Sequence, residues 1–179
     1  MTDKKLKSHR VKIDKIDKEI YALIQKRASH AVAIGKIKSK VSPKESFYKP
    51  DRETKILRNI LNANKKGLLP DSKIRAIYKE LISGCLSLEE ILKVAYLGPE
   101  ATHSEAAVHN QFGSQALRIP TSTIDDVFYQ VINDDVNLGV VPVENSSEGV
   151  INTTLNRLVD SKDINLSLIH ISEPTRHDQ

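Results

Sequence analysis

Three cations, Arg10, Arg27 and Lys38, continue one apolar stripe near the start of this 179-residue chain. The stripe is Ile13, Ile16, Ile20, Leu23, Ile24, Ala31 and Ile34, spaced three and four apart as on one face of a helix. A cation beside an apolar seam is costly unless an anion meets it. Farther on, Glu53 shares a face with Ile56 and Ile60, and Glu89 falls one helical turn after Cys85, in line with Leu81. Two readings are open: Arg27 pairs with Glu53 or Glu89 in structural salt bridges, or several cations converge on a small polyanion. A second polar concentration, Glu144-Asn145-Ser146-Ser147, follows the strand-like "LGVVPV" directly. By itself it is either a capping loop or one wall of a binding site.

Elements must place these groups. Nothing breaks a helix from about residue 6 to 41, and Pro43 stops it. A second helix opens at Pro50-Asp51 and runs to Gly67 as its C′ residue. A third starts after Pro70, capped by Asp71 or Ser72, and continues through Ile74, Ile77, Leu81 and Leu88. Three helices with the first much the longest cannot close a core alone, so a dimer is expected. After residue 92 the texture changes. "KVAYLG" and "LGVVPV" read as buried strands, and "ALRIP" and "INLSLI" as weaker ones. Helical segments at 103–112, 122–133 and about 150–159 lie between or after them, with Ser122 and Asp125 forming a capping box. Alternation of this kind implies a parallel sheet. The expected class is α followed by α/β, joined with almost no linker at Leu92-Lys93.

Composition narrows the function. At 39% hydrophobic and 28% charged residues the chain is globular, not disordered. No apolar run approaches the ~20 residues of a membrane helix, and the lysine-rich N-terminus lacks a signal-peptide core. A single cysteine excludes an internal disulfide and fits a reducing compartment, so a cytoplasmic location is expected. Residues 1–50 hold 14 Lys/Arg against 5 Asp/Glu, whereas residues 51–179 hold 13 against 18. A basic helical module for nucleic acid or protein is therefore an alternative. It requires aromatics among outward lysines, and residues 1–50 offer only Tyr21, Phe47 and Tyr48. A ligand-binding α/β lobe without catalysis is a second alternative.

The stretch "LKSHRVKIDKIDKEIYALIQKRASHAVAIGKIKS", with its R-x16-R-x10-K spacing, and the P-x-R-E start in "FYKPDRETKIL" resemble the all-helical class of chorismate mutase. "KVAYLGPEATHSEAA" and "VVPVENSSEGVINTTL" resemble the opening of prephenate dehydratase. In this order, over roughly residues 5–166, they resemble the bifunctional chorismate mutase–prephenate dehydratase family of bacterial phenylalanine synthesis. The resemblance implies a helical mutase domain at 1–92, an intertwined dimer, and an incomplete dehydratase domain at 93–166. Arg10 of the second chain would join Arg27 and Arg52 in binding the two carboxylates of chorismate. Lys38 and Glu89 would hydrogen-bond the ether oxygen, and Glu53 would accept from the ring hydroxyl. Lys49 stands where some members have Asp, Cys85 where some have Ser, and Glu89 where some have Gln.

The implied reaction is an intramolecular rearrangement of chorismate to prephenate, with no nucleophile, cofactor or metal. Orientation and stabilisation of charge on the ether oxygen suffice, and cations on rigid helices supply both. Glu144, Asn145, Ser146 and Ser147 would form one wall of the prephenate cleft. The family's second lobe, with its Thr-Arg-Phe-type motif, and its phenylalanine-sensing ACT domain find no match here, so dehydratase activity is expected to be absent. Ala101 and His103 also replace a usual Gly and Phe. "SLIHISEPTRHDQ" does not resemble the family's continuation and reads as translated adapter sequence. Residues 167–179, including His170, Glu173, Arg176 and His177, are accordingly expected to have no evolved role. The expected partners are chorismate, prephenate and a second copy of the chain, with neither nucleic acid nor membrane.

Overall fold

A computed structural model describes residues 2–41, 47–145, 149–161 and 164–166. Helix α1 spans Thr2–Val41, α2 Pro50–Ala63 and α3 Asp71–Leu86. At ~1.5 Å per residue the 40 residues of α1 extend about 60 Å, far beyond the shorter pair. Contact with α3 is made on its C-terminal half, where Ala31 and Gly35 are buried. The earlier stripe residues Ile13, Ile16, Ile20 and Leu23 are about half exposed or more. None of the described helices is long and apolar enough to cross a membrane.

The helix ends differ from the expected ones for local reasons. After α2 the chain tightens into a 3-10 turn, Asn64–Lys66, and Gly67 takes extended backbone angles (φ −73°, ψ 149°), not the left-handed C′ conformation. Gly67 is instead needed for room, because a Cβ there would collide with the Asn64 amide oxygen. The Asn64 side chain donates to Leu69 O (2.9 Å) and Asp71 Oδ1 (2.7 Å), which closes the α2–α3 turn. Pro70, with no capping side chain, occupies the N-cap of α3, so neither Asp71 nor Ser72 caps it. Helix α3 stops at Leu86, short of Leu88. Ser83, Gly84 and Ser87 weaken that end, and Ser87 Oγ donates to Gly84 O at 2.9 Å. Glu89 therefore sits in the turn beyond the helix, its N–H donating to Leu86 O at 2.8 Å.

Three parallel strands follow, β1 (Lys93–Leu97), β2 (Leu117–Thr121) and β3 (Leu138–Val140), in the order β2-β1-β3. Helices α4 (His103–Phe112) and α5 (Ile124–Ile132) make the crossovers. The central strand is buried on both faces. Val94 and Tyr96 pack with Val108 of α4, while Ala95 packs with Val127 of α5 and Val136. Thr123 and Asp126 form the capping box of α5, one residue later than the Ser122–Asp125 pair. The cause is Thr121, whose hydroxyl bonds Tyr96 O and Thr123 O and keeps Ser122 outside the helix. An unexpected antiparallel pair, β4 (Glu144–Asn145) with β5 (Gly149–Val150), precedes α6 (Asn152–Asp160). The described part of "INLSLI", residues 164–166, forms no strand; the remainder and residues 170–179 lie outside the described residues.

The helices and the α/β lobe share a core. Tyr48, from the α1–α2 connection, and Leu86 of α3 pack against Leu92, Val94, Tyr96 and Val108. At the end of α4, Gly113 has φ +78° and comes so close to α3 that a Cβ would lie 2.6 Å from Ser83 Cβ. Next to it, Ser114 donates from its backbone and hydroxyl to Glu80.

Candidate active site

The strongest assembly of site residues is Lys38 with Glu89. Lys38 Nζ lies 3.2 Å from Glu89 Oε2, and both are partly buried. Lys38 also donates to Phe47 O at 3.1 Å and sits 5.3 Å from the Phe47 ring centroid, a cation–π contact. Small residues on α1 permit this approach. A Cβ added to Gly35 would lie 3.2 Å from Glu89 Cα, so a larger residue would push the Glu89 turn away. Eleven positions separate Arg27 from Lys38, three turns of α1, which puts both on one face.

Arg27 pairs with neither Glu53 nor Glu89. Its guanidinium donates to Leu81 O on α3 at 3.2 Å, so the structural salt-bridge reading does not hold for the single chain. Cys85 is buried, whereas Lys49 and Arg52 are exposed around the start of α2. Arg10 is exposed on the same unbroken helix as Arg27, about 25 Å away by helical rise. Glu53 has the Tyr48 hydroxyl as a hydrogen-bond partner and the Lys79 ammonium as a nearby charge. Burial raises the Glu53 carboxyl above its ordinary value, while Lys79 and the Tyr48 hydrogen bond act against the rise. Burial likewise lowers Lys79, and Glu53 opposes that shift.

Two of these partners, Tyr48 and Lys79, were not singled out as site residues from the sequence. Tyr48 was visible only as an aromatic in a basic stretch, because Gln111 and Phe112, which hold its hydroxyl and ring, lie some sixty residues on. Lys79 carried no signal apart from its place on α3.

In the lobe, Glu144 is exposed on β4, and for Asn145 only the backbone is described. Ser146 and Ser147 lie outside the described residues. The segment before them is tied down by Thr154, fully buried on α6, whose hydroxyl donates to Pro142 O at 2.7 Å. Among the described residues, no group of three or more His, Cys, Asp or Glu side chains is placed to hold a metal.

A three-helix module whose long helix sets Lys38 against Glu89 from the turn after α3, fused to a parallel α/β lobe, defines a two-part protein. Residues 9–90 match the family model of chorismate mutase type II, and residues 94–173 match that of prephenate dehydratase. The chain belongs to the bifunctional chorismate mutase/prephenate dehydratase family. A Stutzerimonas stutzeri protein of that name is 43% identical over 158 residues, 87% of this chain and 43% of the relative. One from Aquifex aeolicus is 46% identical over 159 residues, again 87% and 43%, and one from Escherichia coli K12 is 26% identical over 165 residues, 83% and 42%. The chain spans about two fifths of the length of these relatives.

Proposed function

We propose that residues 1–92 convert chorismate to prephenate, as the first step of a route to phenylalanine, in a dimer that pairs the α1 stripes. The Lys38–Glu89 pair supports this most directly. It sets a hydrogen-bond donor and an acid within 3.2 Å of each other on a face that also carries Arg27. In the dimer, Arg10 of the second chain joins Arg27 and Arg52 around the two substrate carboxylates. Lys38 and the protonated Glu89 carboxyl then donate to the ether oxygen as its bond to carbon breaks, and Glu53 accepts from the ring hydroxyl. Lys49 and Cys85 line the margin. The arrangement stabilises charge only where the transition state develops it, so the reaction requires no cofactor.

Residues 93–166 supply the first lobe of a dehydratase, with Glu144, Asn145, Ser146 and Ser147 on one wall of a prephenate cleft. A polypeptide of these 179 residues acts as a cytoplasmic mutase that does not dehydrate prephenate and binds no nucleic acid. The test is a chorismate-disappearance assay that detects prephenate and phenylpyruvate separately. Prephenate should accumulate. Phenylpyruvate formed from prephenate at neutral pH, above the uncatalysed rate, would overturn the second half; unchanged chorismate would overturn the first.

A further inference from the structure

We propose that Tyr48 is a positioning residue of the mutase site, through which the α/β lobe holds Glu53 in place. The proposal rests on the reading of Glu53 as a substrate contact. Its basis is a convergence at the end of α4. The Tyr48 ring is only 8% exposed and packs edge-on against Phe112, with centroids 5.4 Å apart and planes at 71°. Its hydroxyl donates to the Glu53 carboxylate and accepts from the Gln111 amide. Lys79, the other partner of Glu53, donates to the carbonyl of Asn110. Adjacent residues of α4, Asn110 and Gln111, thus each hold one of the two groups that face Glu53. Arg75 is a further charge near Lys79. The neighbouring Phe47 carbonyl meanwhile holds Lys38, so the anchored Phe47-Tyr48 pair reaches both parts of the site.

The phenol is a dependable donor. Burial pushes Tyr48 up to about 12, so it stays protonated across the range in which the enzyme would work. A carboxylate held by a buried phenol, with an ammonium nearby, is narrowed in orientation, and an orienting contact to substrate depends on that.

The experiment compares Tyr48→Phe, Gln111→Leu, Glu53→Gln and the Tyr48→Phe/Glu53→Gln double variant in the full chain. Each is assayed for mutase kcat and KM, and its thermal midpoint is recorded. Tyr48→Phe keeps the ring and should lower kcat/KM by about tenfold, the loss typical of a hydrogen bond to a charged group. In the Glu53→Gln background the same change should cost no more than about twofold. Gln111→Leu should give a smaller loss of the same kind. The Glu53 carboxyl, followed by NMR, should titrate at higher pH in Tyr48→Phe than in the parent. Equal losses in both backgrounds, or an unmoved titration, would overturn the positioning role and leave Glu53 as a substrate contact. A harmless Glu53→Gln substitution would overturn that underlying reading and the proposal with it.

Discussion

In α1, Ile13, Ile16, Ile20 and Leu23 lie open to solvent, whereas in β1 Val94, Ala95 and Tyr96 are closed on both faces of the sheet. The first region presents an apolar stripe longer than α2 and α3 can cover, with Arg10 stranded at the uncovered end. The second buries its central strand with its own helices and borrows Tyr48, Leu86 and Leu92 from the first. The difference is one of self-sufficiency. In the proposed dimer a site built along a long rod draws on another chain to bring distant cations together, whereas a parallel sheet gathers its loops at one edge. The largest predicted effect tests that contrast. Arg10→Ala and Arg27→Ala should each lower mutase kcat/KM by ~10²–10³, the usual loss when one charge-stabilising donor is removed. Mixing the two after subunit exchange should restore part of the activity, since some mixed dimers contain one intact site. Without any recovery, the uncovered stripe is not the shared surface.

The shared core sharpens the same comparison. Tyr48→Ala leaves an aromatic-sized void among Leu92, Val94, Tyr96 and Val108, and should cost about 3–5 kcal/mol. Both regions should lose stability together in one urea transition. Two separated transitions, with only the helices shifted, would mean that the lobe does not depend on the borrowed ring.

The same contrast shows what the sequence could reveal. The α1 stripe, the start of α2, the 103–112 helix and the three parallel strands are periodic and punctuated, and each lies where its residues put it. Motif text was informative as resemblance: the quoted stretches are similar to the two families whose models match residues 9–90 and 94–173. Features set by individual side chains were not legible. Glu89 was expected on α3 and instead follows it, because Ser87 bonds back to Gly84 and ends the helix. The α5 cap moved by one residue because Thr121 is held from β1. Glu53 meets Tyr48 and Lys79 because of tertiary packing, which no spacing encodes.

A smaller effect concerns Glu89. In the proposed site a negative charge at this position would repel the developing oxyanion, and the chain pairs Glu89 with Lys38 at 3.2 Å. Glu89→Gln replaces the carboxyl with a neutral donor, so its mutase kcat/KM should equal or exceed that of the parent, whereas Glu89→Ala should lose activity. Equal activity of Glu89→Ala and the parent would place some other group at the ether oxygen.

The smallest effect is on stability, and here the two regions should differ in sign. Glu53 is raised by burial, so the folded state holds its proton more tightly than the unfolded state does. Its contribution is full below the ordinary glutamate range and is lost as pH rises through the folded value. Asp125, on α5, is lowered by its hydrogen bond to Arg157, whose Nε lies 2.6 Å away on α6. Its contribution is present above the ordinary aspartate range and is lost as pH falls through the folded value. Unfolding by urea across the acid range should therefore separate the variants. Relative to the parent, Glu53→Gln should gain stability as pH rises, and Asp125→Asn should lose it. The Asp125 effect should also shrink more in high salt, because that pair is open to solvent and Glu53 is half-buried. If both variants drift from the parent in the same direction, the closed surroundings of Glu53 do not set its proton affinity, and the buried link between helices and lobe is looser than its hydrogen bonds imply.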